Sequence, residues 1–261
     1  MIEIKIQIQG ENAKTHTLQV PEKWSEMAPK QVESVASYLY GFIQNRKESQ
    51  QIMLIDLLGL DGKDLTDVMD LLTDPEQEVS VLDLYPYLDW VTKEIAFDQD
   101  LYLVNYPYKR IGEGYANIEL KQYFFIEHLY LTYRKERTER NLAMLLAAVY
   151  PKIEFDNEKI EADALQIQGW PTEKQKALLL NYYGQRNQFV MDYEIIFPKQ
   201  KEKDDGTKEK QEEPNHFDTY LEILFELPNE KFGDVNQLAK TPITLVFNYF
   251  ESIKKKTAKP V

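Results

Sequence analysis

Residues 117–149 read NIELKQYFFIEHLYLTYRKERTERNLAMLLAAV and carry a strong amphipathic pattern. Over 117–135 the apolar side chains recur every three or four residues, which is the spacing of one face of an α-helix. A second helix is predicted over 139–149, and Pro151 ends it because proline lacks the N–H that a continuing helix requires. Two such helices in succession predict a mainly α-helical fold.

Helix signals continue on both sides of this segment. Pro29 suits the first position of a helix, where a missing N–H costs nothing, and an apolar stripe follows it. Residues 172–175, Thr-Glu-Lys-Gln, form a capping-box pattern that predicts a helix beginning at Glu173. The remaining predicted helices cover 50–58, 65–72, 75–93, 217–227 and 243–255.

The N-terminus has the two-residue period of a β-strand. Ile2, Ile4, Ile6 and Ile8 alternate with polar residues, and a turn signal at 10–12 precedes a second alternating run. We therefore expect a β-hairpin over 1–20. A lone hairpin is marginal in water, so it must pack on helices or join another sheet.

The same patterns divide the chain into four segments. The hairpin of 1–20 is expected to pack on a helical domain of 21–198, within which 97–115 is short, irregular or strand-like. Residues 199–215 are all polar or charged apart from Gly206 and Pro214, so a charged mobile loop is expected there. A C-terminal helical segment is predicted over 216–261.

Composition excludes several classes of protein. The chain has 261 residues, with 31 Lys and Arg against 44 Asp and Glu, a net charge of −13, and no cysteine. Absence of cysteine excludes a disulfide framework, a thiol nucleophile and an Fe–S cluster. The negative charge disfavours nucleic-acid binding, which relies on Lys and Arg. With no signal-peptide pattern and no apolar run of membrane-spanning length, we expect a soluble, intracellular protein.

Catalytic and metal-binding motifs are absent from the sequence. There is no Walker motif, no Gly-x-Ser-x-Gly and no His-Glu-x-x-His, and the three histidines lie far apart. The Asp run from 56 to 74 lacks the spacing of a calcium loop and is expected on the solvent face of a short helix. We predict no cofactor, no metal site and no enzymatic activity. An acid–base enzyme with paired carboxylates stays open as an alternative.

Aromatic residues suggest a protein interface instead. The chain has 17 Tyr and 3 Trp, and both residue types combine apolar area with a polar tip that favours interfaces. The cluster at 102–108 lies in a segment with Pro and Gly, where a core role is harder to assign. The candidate interface residues are Ile4, Ile6, Trp24, Tyr102, Tyr106, Tyr108 and Trp170.

Several segments together resemble a family. They are PEKWSEMAPKQV at 21–32, IELKQYFFIEHLYLTY at 118–133, LAMLLAAVYP at 142–151, KALLLNYYGQRNQFVMDYEIIFP at 176–198 and LAKTPITLVFNYFESI at 238–253. Over 17–251 this order is similar to a group of phage and prophage proteins of Bacteroidetes-type bacteria that are found among virion and tail-assembly genes. Ala28 stands where the group has threonine, and Tyr150-Pro151 lacks an intervening arginine.

The resemblance implies a structural or assembly role in a phage particle, or a chaperone of tail assembly. It implies no catalytic residues. The expected partners are other phage structural proteins or further copies of the chain, with no nucleic acid, membrane or small-molecule substrate. The expected location is the bacterial host cytoplasm during assembly, or the virion. The alternative, motivated by the charge of −13, is an acidic host-directed effector that binds a basic host protein.

Overall fold

The computed structural model describes most of the helical part of the chain. The described residues are 1–8, 14–41, 46–59, 66–68, 70, 84, 86, 90–93, 95–97, 99–101, 111–112, 115–197 and 232–257. Within them the fold is mainly α-helical with an N-terminal two-stranded antiparallel hairpin, which confirms the predicted fold class. The chain forms two compact units. Unit 1 contains 1–97, 101–104 and 171–181, and unit 2 contains 98–100, 105–170 and 182–261.

The hairpin of unit 1 consists of β1 (Ile2–Ile8) and β2 (Lys14–Val20). The register pairs Ile2 with Val20 and Ile4 with Leu18, so these residues share one face. Val20 and Leu18 are buried, whereas Ile2 and Ile4 are half-buried. The alternation of the sequence therefore predicts correctly which residues form the apolar face of the hairpin.

The helices of unit 1 follow the hairpin after a short 3₁₀ turn at Trp24–Glu26. Among the described residues they are α1 (Pro29–Tyr40), α2 (Arg46–Leu57) and α3 (Trp90–Lys93), and the first half of the helix Thr172–Asp192 also belongs to this unit. Pro29 occupies the first position of α1, as predicted. Ala28 precedes it and has no side chain that could cap the helix, so the N-terminus of α1 depends on another residue.

That residue is Gln31, which connects α1 to α2. Its Oε1 accepts a hydrogen bond from the Ala28 N–H at 2.8 Å, and its Nε2 donates to the carbonyls of Asp56 and Leu57 at 3.0 and 3.3 Å. One amide side chain thus satisfies a free donor at the start of α1 and donates to two carbonyls at the end of α2, where the Asp56 carbonyl also accepts from the Gly59 N–H at 3.1 Å.

Asp56 is buried beside Gln31, so the expectation that it lies on a solvent-exposed helix face was wrong. Its carboxylate accepts a hydrogen bond from the Ser34 hydroxyl and lies 2.6 Å from Lys30 Nζ. A carboxylate is tolerated in a buried position when such partners replace water. Positions 61, 64 and 74 of the Asp run lie outside the described residues.

Replacing Gln31 with alanine should destabilise the contact between α1 and α2. We expect the free energy of unfolding to fall by about 1–3 kcal/mol, because the Ala28 N–H loses its acceptor and the Leu57 carbonyl loses the Gln31 donor, while the Asp56 carbonyl keeps its bond from the Gly59 N–H. Urea unfolding followed by circular dichroism would measure it. The same substitution at Gln168, which is exposed, should change stability little. Equal effects at both positions would contradict the role of Gln31.

Unit 2 contains most of the described helices. They are α4 (Leu120–Lys135), α5 (Glu139–Val149), α6 (Ile160–Gln168), the second half of α7 (Thr172–Asp192), α8 (Val235–Ala239) and α9 (Ile243–Thr257). The predicted 139–149 matches α5 at both ends, and α7 begins one residue before the predicted Glu173. α6 and α8 were not predicted from the sequence. The predicted helix 217–227 and the loop 199–215 lie outside the described residues.

Backbone contacts join the starts of α4 and α9. The Leu120 N–H donates to the Thr241 carbonyl and the Ile243 N–H donates to the Ile118 carbonyl, both at 2.9 Å. A bridge between Glu119 and Pro242 lies between these two bonds. The two helices therefore begin side by side, and their first-turn donors are satisfied by each other's flanking residues.

An aromatic cluster fills the core of unit 2. Phe189 lies at its centre, with ring centroids 4.8 Å from Tyr115, 5.6 Å from Tyr123 and 5.4 Å from Phe247. All four side chains are at most 2% exposed. Tyr115 is buried although its backbone has φ +66°, in the left-handed region that a bulky residue rarely adopts. Contacts of its ring in the core must therefore outweigh this backbone strain.

Candidate functional site

The predicted interface residues have different surroundings in the structure. Ile4 is half-buried on the apolar face of the hairpin, and Trp170 is half-buried after α6. Ile6 pairs with His16 in the strand register, and its side chain is outside the description. Tyr102, Tyr106 and Tyr108 lie outside the described residues. The structure therefore places Ile4 and Trp170 partly at the surface.

Trp24 has a different role from the one expected. Its side chain is 6% exposed and its ring lies 5.2 Å from that of Trp90 and 5.5 Å from that of Phe97. Trp90 Nε1 donates to the Pro21 carbonyl at 3.1 Å, which fixes the edge of this cluster. Trp24 is thus a core residue of unit 1, and we remove it from the candidate interface.

A buried ion pair joins α4 to α7 within unit 2. Arg186 donates from Nε to Glu127 Oε1 at 2.8 Å and from Nη2 to Oε2 at 2.6 Å, a two-bond fork. Glu127 is fully buried, and the Arg186 side chain is 15% exposed. The Tyr182 hydroxyl lies 3.3 Å from Glu127 Oε1 and donates to it. Three donors therefore surround a single carboxylate.

An aromatic ring packs against the cation of this pair. The Arg186 guanidinium lies 4.4 Å from the centroid of the Tyr130 ring, within the range of a cation–π contact. Burial alone would lower the pKa of Arg186, but the nearby Glu127 carboxylate outweighs it and the pKa is raised well above its usual value. Arg186 is therefore a permanent positive charge in the core.

Three buried tyrosines surround the ion pair. Burial, reinforced by the negative charge of Glu127, raises the pKa of Tyr115, Tyr123 and Tyr182 well above the usual value of a phenol. They therefore remain protonated throughout the physiological range. The hydroxyls of Tyr115 and Tyr123 have no hydrogen-bond partner among the described residues.

The sequence contains a signal for this ion pair, although neither residue was predicted as a site residue. Glu127 lies seven residues after Leu120 and four after Tyr123, on the buried stripe of α4. Arg186 lies four residues after Tyr182 and three before Phe189, on the buried stripe of α7. Charges of opposite sign on the apolar stripes of two helices indicate a buried pair. Because its carboxylate already accepts bonds from three donors, we interpret the pair as a structural element.

A cleft of about 560 Å³ lies beside the loop between α5 and α6. Lys121, Lys152 and Lys159 line it, but each is paired with an acidic residue at 2.8–3.4 Å. Asp156, which lies 2.8 Å from Lys159, has a pKa lowered mainly by that lysine. The charges at this cleft balance, so it offers no excess of one sign for a charged ligand.

A second opening, of about 490 Å³, lies between α8 and α9. We call it the α8–α9 groove; its lining residues are Phe232, Gln237, Thr241, Leu245, Asn248, Tyr249 and Ser252. The Phe232 and Tyr249 rings contact each other with centroids 5.2 Å apart. Leu245 is 58% exposed, and Val235 and Ile253 on the same two helices are also exposed. The groove therefore has an apolar centre bordered by neutral polar groups.

The exposed face of the hairpin is polar. Glu3, Lys5, Thr17 and Gln19 are all exposed, and Lys5 Nζ lies 3.0 Å from Glu3 Oε1. Gln19 Nε2 lies 3.5 Å from Glu3 Oε2 across the two strands. Among the described residues the sheet contains these two strands, so each strand has one edge without a neighbouring strand.

The described part of the chain contains neither a metal-binding cluster nor a membrane-spanning helix. No group of three or more His, Asp or Glu side chains there has an arrangement that could hold a metal ion. No helix in that part is long and apolar enough to cross a bilayer. Comparisons with models of known protein families, with curated proteins and with solved structures found no match to this chain.

Proposed function

We propose that this chain is a non-enzymatic structural or tail-assembly protein of a phage particle that acts through protein–protein contacts. The observation that carries the proposal is the α8–α9 groove, where Leu245 is 58% exposed beside Phe232 and Tyr249. An apolar centre with a polar rim is the usual composition of a protein interface. The resemblance to phage virion and tail-assembly proteins supplies the biological setting.

The chemistry of the groove favours a protein partner. Its polar groups are the amides of Gln237 and Asn248 and the hydroxyls of Thr241 and Ser252, all of which are neutral. Neutral amides and hydroxyls form hydrogen bonds with backbone groups of a partner, while Leu245 and the rings contribute apolar area. We expect a partner segment with an apolar side chain that inserts beside Leu245.

The test is whether the chain joins phage particles or their assembly intermediates. The tagged full-length chain would be produced in the induced host, and particles and intermediates would be separated on a density gradient. We expect the chain to co-migrate with virion proteins in a fixed ratio. Leu245→Glu should reduce this fraction about tenfold or more, since it places a charge at an apolar contact.

Lys240→Glu is the matched control, because Lys240 is exposed beside the same helices and lies outside the groove lining. It should leave the fraction unchanged. If the wild-type chain stays with free protein at the top of the gradient, the proposal is wrong. Equal losses in the two variants would contradict the groove as the contact site.

The net charge of −13 favours a second candidate, the acidic host-directed effector. In that case the chain should capture a basic host protein, with an affinity that falls steeply as salt rises because exposed charges are screened. Titration against the captured protein at low and high salt distinguishes the candidates. A contact centred on Leu245 should be nearly insensitive to salt.

A further inference from the structure

The two edge strands of the hairpin differ in the charged side chains on their exposed face. This difference indicates which strand binds a partner. An edge strand presents unpaired backbone N–H and C=O groups that can bind another strand. On the exposed face, β1 carries Glu3 and Lys5, whereas β2 carries only the neutral residues Thr15, Thr17 and Gln19. Only β1 therefore has opposite charges that could select a partner strand.

We propose that β1 binds β1 of a second copy of this chain, antiparallel and centred on Ile4. This inference rests on the proposed function, because it names one partner of a protein that acts by protein contacts. In this register Ile4 lies opposite Ile4 of the second copy. Glu3 then lies opposite Lys5 of the second copy, and Lys5 lies opposite its Glu3. The contact is symmetric, as expected for a two-fold dimer.

Charge selects this register over its neighbours. Moving the centre by one residue brings Glu3 against Glu3 or Lys5 against Lys5, and like charges directly opposite each other destabilise a strand pair. A register centred between two residues would place apolar residues opposite polar ones and mix the two faces. Among these choices, centring on Ile4 pairs opposite charges twice and keeps the two faces separate.

The apolar face supports the same arrangement. Ile4 is half-buried within one chain, so it retains exposed apolar area, and its neighbours across the hairpin, Leu18 and Val20, are buried. Placing Ile4 against Ile4 of the second copy would cover some of that area. The product is a four-stranded antiparallel sheet in the order β2, β1, β1, β2, which is larger and more stable than a lone hairpin.

A single cysteine tests the centre of the register directly, because the chain contains none of its own. In Ile4→Cys the two Cβ atoms would lie close to the separation that a disulfide needs. Oxidation should therefore give a covalent dimer on a non-reducing gel. Thr17→Cys, on the exposed face of β2, is the control and should stay monomeric. Dimer formation by both variants, or by neither, would overturn the proposal.

A charge exchange tests the pairing without a cross-link. Light scattering after size exclusion would measure dimerisation of the wild type, Lys5→Glu, Glu3→Lys and the double variant. Each single change replaces two attractive pairs by two repulsive ones and should raise the dissociation constant about tenfold or more. The double variant should restore it, and Lys240→Glu should not affect it. Unchanged dimerisation in both single variants would contradict the proposal.

The outcomes separate this inference from the proposed function. If the wild-type chain is monomeric at its highest soluble concentration yet co-migrates with phage particles, the strand pairing is wrong and the proposed function stands. If Ile4→Cys cross-links but the chain never joins a particle, the pairing stands and the proposed function is wrong.

Discussion

Replacing Glu127 with glutamine should lower the free energy of unfolding by about 3–5 kcal/mol. The change removes the carboxylate that lies 2.6 and 2.8 Å from Arg186 and leaves a guanidinium charge in the core without its counter-ion. An arginine guanidinium is effectively always protonated in proteins, so Arg186 keeps its charge in the variant and the cost remains. Urea unfolding of the full chain would measure the change.

Two variants make this prediction specific. Glu127→Met combined with Arg186→Met should recover most of the loss, because a buried ion pair can often be replaced by apolar residues of similar volume. Glu161→Gln is the matched control. Glu161 lies 3.1 Å from Arg140, and both side chains are more than 70% exposed, so water screens the pair and stability should barely change. A double variant as unstable as Glu127→Gln would refute this explanation.

Replacing Trp24 with alanine should also destabilise the chain by about 3–5 kcal/mol, the cost of removing a large aromatic side chain from a core. Trp24 is 6% exposed and contacts the rings of Trp90 and Phe97. Thermal unfolding followed by tryptophan fluorescence would measure the effect.

Trp170→Ala is the natural comparison, since Trp170 is half-buried and should lose less apolar contact. The pair also tests the original assignment of both tryptophans to an interface. Surface anchors would weaken association when replaced and leave unfolding unchanged. If Trp24→Ala unfolds at the same temperature as the wild type, the core position of Trp24 is wrong.

Local sequence signals located much of the fold. The alternation of Ile2 and Ile4 with polar residues predicts β1, and Pro29 predicts the start of α1. The long apolar stripe of α4 and the proline after α5 predict those helices. Such signals are local, because they depend on residues within two turns of a helix or one strand.

The short helices α6 and α8 were missed because a local pattern needs several residues before it can be recognised. α6 has nine residues and α8 has five, so few apolar positions establish a period. A capping box does mark α8. The Gln237 N–H donates to Asp234 Oδ1 at 2.9 Å, and the Asp234 N–H donates to Gln237 Oε1 at 3.2 Å. Applying the Thr172–Gln175 criterion to Asp234 and Gln237 would have found it.

The candidate sites depend on contacts between residues that are distant in the chain. Asp56 was expected to face solvent because its partners, Lys30 and Ser34, lie on another helix. Glu127 and Arg186 are 59 residues apart, so no local pattern links them. Leu245 lies in an apolar helix, and only tertiary packing shows that it is exposed. Sequence patterns identify faces of elements, but they do not identify which faces meet.

No single substitution at Tyr115 is expected to raise the stability of this protein without a cost. Glycine would relieve the left-handed backbone at φ +66° but would remove a fully buried ring from the stack on Phe189. Phenylalanine would keep the ring and remove the hydroxyl that lacks a partner, but it would leave the backbone strained. A larger gain in stability is therefore expected from redesigning the turn at 115–118, so that an aromatic residue occupies this place with ordinary backbone angles.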